Sequence, residues 1–291
     1  MTIFLHSIGF GLVTASILAL AAVGLTLQFG VTNYVNFAYG DYMTLGAYLT
    51  WTFNGLLGWP FWAALVVATI VTGVVALVIS QVLLEPFARR RGPLLFILIV
   101  TFALSLILSN AILAIWGGDY HEYDVGLETP IHLGPLLLSA QQLGVIALAV
   151  GAMLLVHLVL TRTNIGKAMR AISDDRALAD VNGIPTDRLT ALVWVISGAF
   201  AGLAGAVLAL NVVSFDPNLG VNFLFVIFAA VILGGIGSPY GAMLGAVVIG
   251  LAVELAAVWI PSEYKLDVAF VILVIVLLLR PQGLLAVAGK A

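Results

Sequence analysis

Long apolar runs without charge dominate this chain, and its basic residues gather at three places between them. A helix needs roughly 20 mostly apolar residues to cross a hydrocarbon core of about 30 Å, where every backbone N–H and C=O must be paired within the chain. Runs approaching that length recur at residues 8–29, 37–53, 60–84, 94–115, 136–160, 190–213, 222–236, 240–260 and 266–280. The expected fold is all-α: a polytopic membrane helix bundle of eight to nine transmembrane segments, including broken helices. Asn36, Gly40 and Asp41 interrupt the second run, and the seventh is short. The composition, 63% hydrophobic and 9% charged, excludes an ordinary water-soluble core. The first run lacks a basic flank and a cleavage site, so it reads as a retained span rather than a signal peptide.

The basic clusters are Arg89, Arg90 and Arg91; Arg162, Lys167, Arg170, Arg176 and Arg188; and Arg280 with Lys290. Alternating nine spans puts all three on one side, which the positive-inside rule makes the cytoplasm, with the N-terminus outside and only Lys265 in an outer loop. The segment 117–135 then lies outside, carrying Asp119, Glu122, Asp124 and Glu128 without Lys or Arg. The expected organisation is a single transmembrane domain over 1–291. Cysteine is absent, and His6, His121, His132 and His157 lie in separate segments without metal-ligand spacing, so neither a thiolate site, a metal site nor a catalytic dyad is supported.

Residues 161–189 form the one long polar stretch on the inner side. Ile165, Met169 and Ile172 recur at helical spacing, Ser173 is placed to cap a second helix beginning with Asp174 and Asp175, and Asn182, Gly183 and Pro185 end it. From composition alone this is either a solvated connector or a short surface helix that enters a groove on a partner. The run Gly166, Arg170, Ala171, Gly183, Ile184, followed by Ala199, Gly202, Leu203, Ala204 and Gly205, resembles the coupling segment of the branched-chain amino acid type of ABC transporter permease. The resemblance covers nearly the whole chain. It includes Gly24-Leu25-Thr26-Leu27, Asn36-Phe37-Ala38-Tyr39-Gly40-Asp41, Leu45-Gly46-Ala47-Tyr48, Leu233-Gly234-Gly235-Ile236-Gly237-Ser238 and Arg280-Pro281-Gln282-Gly283-Leu284. The family more often has His and Glu where this chain has Tyr39 and Asp41, which bears on the substrate rather than on the family.

The resemblance implies a permease subunit of an ATP-driven importer for branched-chain or related hydrophobic amino acids, in the bacterial cytoplasmic (inner) membrane. It implies a second permease chain, two ATP-binding subunits and an extracytoplasmic solute-binding protein as partners, with Arg170, Ala171, Ala179 and Gly183 at the ATPase contact. No cofactor is expected in this chain, and ATP-Mg belongs to the partner subunits. The sequence agrees: its only Gly-Lys pairs are Gly166-Lys167 and Gly289-Lys290, and Thr161 stands where a Walker A motif ending at the first pair would need Gly. The chain is therefore not expected to be an enzyme. Amides and urea are the alternative substrates.

A carboxylate in the middle of a lipid-facing helix costs about 2.5–3.5 kcal/mol on insertion scales, so Asp41 must face something other than lipid. Two readings stand: a tight turn with Asp41 capping the next helix, or a discontinuous helix at the transport pathway. On the second, Asn36, Tyr39, Gly40 and Asp41 line the path, and so do Gly234, Gly235, Gly237 and Ser238 of a second Gly-rich break. Met243-Leu244-Gly245-Ala246 after that break echoes Thr44-Leu45-Gly46-Ala47 after the first. Helix N-termini at the breaks would favour a carboxylate. Glu254 is the other intramembrane acid, read as hydrogen-bonded to a neighbouring helix; the rival class is a secondary transporter coupling an ion through Asp41 or Glu254. Gly198, Gly202, Gly205, Gly241 and Gly245 are spaced for close helix packing.

Overall fold

A computed structural model describes residues 2–88, 94–126, 131–133, 136–261, 264–279 and 283–285. Arg89, Arg90 and Arg91, Glu128, Arg280-Pro281-Gln282 and Lys290 lie outside the described residues. The chain runs α1 (Thr2–Thr32), α2 (Tyr39–Trp51), α3 (Phe61–Ile79), α4 (Glu85–Ala88), α5 (Leu94–Trp116), α6 (Ala140–Arg162), α7 (Asn164–Asp174), α8 (Arg176–Val181), α9 (Thr186–Val212), α10 (Leu219–Gly234), α11 (Pro239–Ala256) and α12 (Lys265–Leu279). Single π turns, Thr52–Leu56 and Ser80–Leu84, extend α2 and join α3 to α4. Two short strand pairs complete the described structure: β1 (His121–Glu122) with β4 (Ser214–Phe215), and β2 (Ile131–Leu133) with β3 (Leu136–Leu138), both antiparallel.

Six described helical stretches are long and apolar enough to cross a membrane: His6–Thr32, Phe61–Ala88, Leu94–Trp116, Ala140–Arg162, Thr186–Val212 and Pro239–Ala256. Leu219–Gly234 and Asp267–Leu278 are shorter apolar helices. The protein is thus an all-helical, multi-pass membrane protein. The fifth apolar run, expected from 136, becomes helical only at Ala140, because Ser139 and Gln142 form a capping box. The Ser139 hydroxyl accepts from Gln142 N–H at 3.1 Å, and the Gln142 amide oxygen accepts from Ser139 N–H at 3.0 Å.

The described helices pack as two compact units. The first comprises 1–26, 126–156 and 225–291; the second comprises 27–125 and 157–224. In the second unit, glycines let backbones touch. A Cβ on Gly46 would meet the backbone of Gly202, one on Gly205 the backbone of Met43, and one on Gly198 the side chain of Ala76 and the backbone of Gly73. α9 therefore lies directly on α2 and α3. The driving force is close van der Waals packing, as lipid offers no hydrophobic gain for helix association. In the first unit, Gly250 of α11 seats on the backbone of Ala15 in α1, Gly245 on the carbonyl of Ala230, and Gly241 against Gly234.

Candidate functional site

α1 ends at Thr32, and Asn33 at φ 60° turns the chain out of the helix, its N–H donating to Phe29 O at 2.8 Å. Asn tolerates that left-handed backbone better than most residues. Asn36 then folds the break on itself, its side-chain oxygen accepting from Ala38 N–H at 3.1 Å. The N-cap of α2 is Ala38, which has no capping side chain, so Asp41 does not act as the helix cap. Its carboxylate instead accepts from the hydroxyls of Ser105 and Ser109 on α5. Ser105 lies midway along the 23 residues of α5. At about 1.5 Å per residue that places it some 16 Å from either end of a membrane-crossing helix.

Asp41 and its neighbours are sealed within the second unit. Asn36, Tyr39 and Asp41 are 0% exposed, and Gly40 is buried. A Cβ on Gly40 would strike the carbonyl of Gly220, and one on Gly220 the carbonyl of Gly40. Thr44 Oγ1 accepts from Gly220 N–H at 3.0 Å. The N-terminus of α2 therefore abuts the N-terminus of α10 at the depth of Asp41.

Gly234, Gly235, Gly237 and Ser238 belong to the first unit. Gly235 and Gly237 take φ of 106° and 87°, conformations open to glycine, and Ser238 caps α11 by accepting from Gly241 N–H at 3.1 Å. Leu284 and Leu285 N–H donate to the carbonyls of Leu233 and Gly234 at 2.7 and 3.1 Å, closing the end of α10. Glu254, also in this unit, accepts from Thr14 Oγ1 at 2.9 Å and pairs with Lys265 Nζ at 2.6 Å. That neighbouring-helix bonding agrees with its sequence reading.

The segment 163–185 forms two helices, as its periodicity predicts, but with a different cap between them. Asp175, not Ser173, caps α8, accepting from Leu178 N–H at 3.0 Å; Thr163 caps α7 through Gly166 N–H at 3.2 Å. Met169 and Ile172 are buried while Ile165 is exposed. α8 ends on Gly183 at φ 81°, with Gly183 N–H donating to Asp180 O and Ile184 N–H to Ala179 O. Arg170 and Gly183 are exposed, Ala171 is half-buried and Ala179 is buried at 4%. The outer surface of α8 instead presents Leu178 and Val181, 60% and 87% exposed. A cleft of about 460 Å³ lined by Ser80, Gln81, Glu85, Pro86, Asp187 and Ala191 opens beside the start of α9.

Three features escape the sequence reading. Ser105 and Ser109, one helical turn apart on α5, are the partners that Asp41 requires, and an i, i+4 serine pair in an apolar helix was their signal. Aromatic side chains gather beyond α2: Tyr48 lies 5.3 Å from Phe215 and 5.5 Å from Trp116, and His121 stacks 4.1 Å from Trp51. Tyr123 donates to Ala47 O at 3.1 Å, and burial raises its pKa well above the usual phenol value. The third is the positive-φ backbone of Val213, at 69°, at the edge of the gap that the sequence reading leaves between the runs 190–213 and 222–236.

Residues 7–277 match the family described as "Branched-chain amino acid transport system / permease component". The chain is 30% identical to the high-affinity branched-chain amino acid transport system permease protein BraD of Pseudomonas aeruginosa, over 97% of this chain and 95% of that protein. It is equally similar, at 30% with the same coverage, to LivH of Escherichia coli. It is 28% identical to LivM of Escherichia coli over 90% of this chain and 66% of that protein.

Proposed function

Because the chain belongs to the branched-chain amino acid transport system permease family, we propose that it is a membrane-spanning permease subunit of an ATP-driven ABC importer for branched-chain or related hydrophobic amino acids, working by alternating access. The match over residues 7–277 carries this reading. Its relatives are transport permeases, not enzymes, and ATP hydrolysis lies in partner subunits. LivH and LivM are distinct permease proteins of Escherichia coli, and this chain resembles both. A second permease chain, two ATP-binding subunits holding ATP-Mg and an extracytoplasmic solute-binding protein complete the proposed assembly in the bacterial cytoplasmic membrane.

The pass count in this proposal is nine: the six long spans, α10, α12, and α2 continued through its π turn to Leu56. The ATPase contact is the segment 163–185. Arg170 and Gly183 present themselves to it directly, the apolar Leu178 and Val181 supply its surface, and Ala171 and Ala179 hold α7 and α8 in place beneath. An ATPase can drive the pathway only if the inward-facing and outward-facing states bind it with different affinity. Asn36, Tyr39, Gly40 and Asp41 at one break, and Gly234, Gly235, Gly237 and Ser238 at the other, are the proposed pathway residues. The burial of Asn36, Tyr39, Gly40 and Asp41 is what a closed pathway requires. The Lys265 and Thr14 bonds of Glu254 occupy the group that an ion-coupled transporter would keep available, which disfavours that rival.

The test is reconstitution of the chain with its partner subunits in liposomes, measuring leucine, valine, amide and urea uptake with ATP inside. Leucine or valine accumulation that requires ATP supports the proposal. Concentrative uptake by the chain alone, driven by an ion gradient, refutes it.

A further inference from the structure

Two parts of the second unit repeat one another at a constant offset of 180 residues. Asn33 and Val213, each directly after a long helix, are the two described non-glycine residues with positive φ, at 60° and 69°. Three residues on, Tyr39 N–H donates to Asn36 O and Leu219 N–H to Asp216 O, at 3.3 and 3.2 Å. Asn36 bonds Ala38 through its side chain, and Asp216 bonds Asn218 through its own. The next helix opens at Tyr39 in one case and Leu219 in the other, with Tyr42 N–H returning to Ala38 O and Asn222 N–H to Asn218 O.

The second position of each new helix is glycine, and those two glycines touch. Gly40 approaches the carbonyl of Gly220, and Gly220 the carbonyl of Gly40. Contact between equivalent residues, made in both directions, is what a two-fold relation produces. On the nine-pass count proposed above, the first break follows the first span and the second follows the sixth, on opposite sides of the membrane. The axis then lies in the membrane plane. Val213 adds an independent mark: a β-branched residue at φ 69°, ψ −59° holds a backbone that its side chain disfavours.

We propose that residues 27–44 and 207–224, each a helix end, a break and the start of a new helix, are inverted copies of one motif, and that residues 33–38 and 213–218 are paired gates of the pathway, one reached from each side. This rests on the permease reading for the word gate and on the nine-pass count for the inversion. It assigns Asp216 and Asn218 to the outer mouth, where the β1–β4 pairing ties Ser214 and Phe215 to the acidic segment at His121 and Glu122. The two copies differ in polarity. Asp41 and Thr44 of the first correspond to Val221 and Leu224 of the second, so the polar groups at the crossing come from one copy only.

The chain has no cysteine, so N33C and N218C each report one place. The assembled transporter is treated with a membrane-impermeant maleimide from either side, before and after trapping with ATP and vanadate. N33C should react only from the ATPase side and N218C only from the other, with trapping moving the two rates about tenfold in opposite directions. Reaction of both from one side overturns the inversion. Rates that do not move, or move together, overturn the gate pairing. S214C, a near-isosteric change in the same break, replaces N218C if that variant fails to assemble. Uptake without ATP by the unlabelled complex would sink the permease reading instead, while the sidedness of labelling would still decide the inversion.

Discussion

Asp41 offers the sharpest test of how this fold tolerates charge at mid-membrane. Its carboxylate is wholly buried and held by the hydroxyls of Ser105 and Ser109. A hydrogen bond to a charged group contributes about 1.5–3 kcal/mol, so Ser105→Ala or Ser109→Ala alone should destabilise the protein by about that much. The double variant should cost more than the sum, since it leaves an ionised group with neither hydroxyl and the insertion cost of about 2.5–3.5 kcal/mol is no longer offset. Removing the acid as well reverses the sign of the argument. Asp41→Asn in the serine-free background leaves a neutral amide, which should recover a large part of the loss, because an unsatisfied neutral group is cheaper than an unsatisfied charge.

The measurement is midpoint of thermal unfolding in detergent, followed by loss of the monodisperse species, for the two single serine variants, the double and the triple. The order expected is wild type, singles, triple, double. A triple variant no more stable than the double would refute the reasoning, since it would mean that the serines act through packing and not through the charge. Asp41→Leu in the wild-type background should lower uptake, because it discards the carboxylate and strands both hydroxyls; unchanged uptake kinetics would leave Asp41 without a role in transport.

Gly46→Leu and Gly205→Val should each prevent accumulation of folded protein, because their first side-chain atom meets backbone of Gly202 or Met43, which cannot step aside as a side chain could; normal yield and melting would refute the crossing. Gly183→Pro and Arg170→Glu should abolish ATP-driven uptake with membrane insertion intact, while Val181→Asp should weaken ATPase association; full uptake in all three would remove segment 163–185 from coupling. Glu254→Gln should lower stability by about 1–3 kcal/mol, between an exposed and a buried pair, and leave uptake per folded molecule unchanged; loss of transport at normal stability would revive an ion-coupling role.

The helical class and most span limits were legible because a bilayer imposes one strong rule, that apolar length must match thickness. Caps were legible where the residue was chemically committed: Gly183 ends α8 as read. Ser173 was misread because α8 starts two residues later than read, at Arg176, so that Asp175 is its N-cap and accepts from Leu178 N–H. The sequence also could not tell whether Asp41 caps a turn or reaches across a helix. That depends on which residues of α5 stand opposite, and nothing local to Asp41 records the register of a segment 64 residues away. Tertiary partners of this kind enter a sequence only as small anomalies, here two serines spaced by four.

The counterpart of the first break shows the same limit in another form. The sequence echo pointed to residues 243–246, since Thr-Leu-Gly-Ala and Met-Leu-Gly-Ala look alike, whereas the backbone repeat falls at 213–222 with little shared beyond one glycine. The reason is physical. A backbone turn is held by carbonyls and amides that every residue owns, so Asn33 and Val213, or Asn36 and Asp216, can do equivalent work with different side chains. Gly40 and Gly220 have no such freedom, because each occupies the space a Cβ on the other would need. It follows that Gly40→Ala and Gly220→Ala should both be disruptive despite the unlike polarity of their surroundings. Each places a methyl group against the carbonyl of the other glycine, and the one on Gly220 also meets Thr44 Oγ1. Stability loss confined to one of the two, measured by thermal unfolding, would show that the crossing is not symmetric.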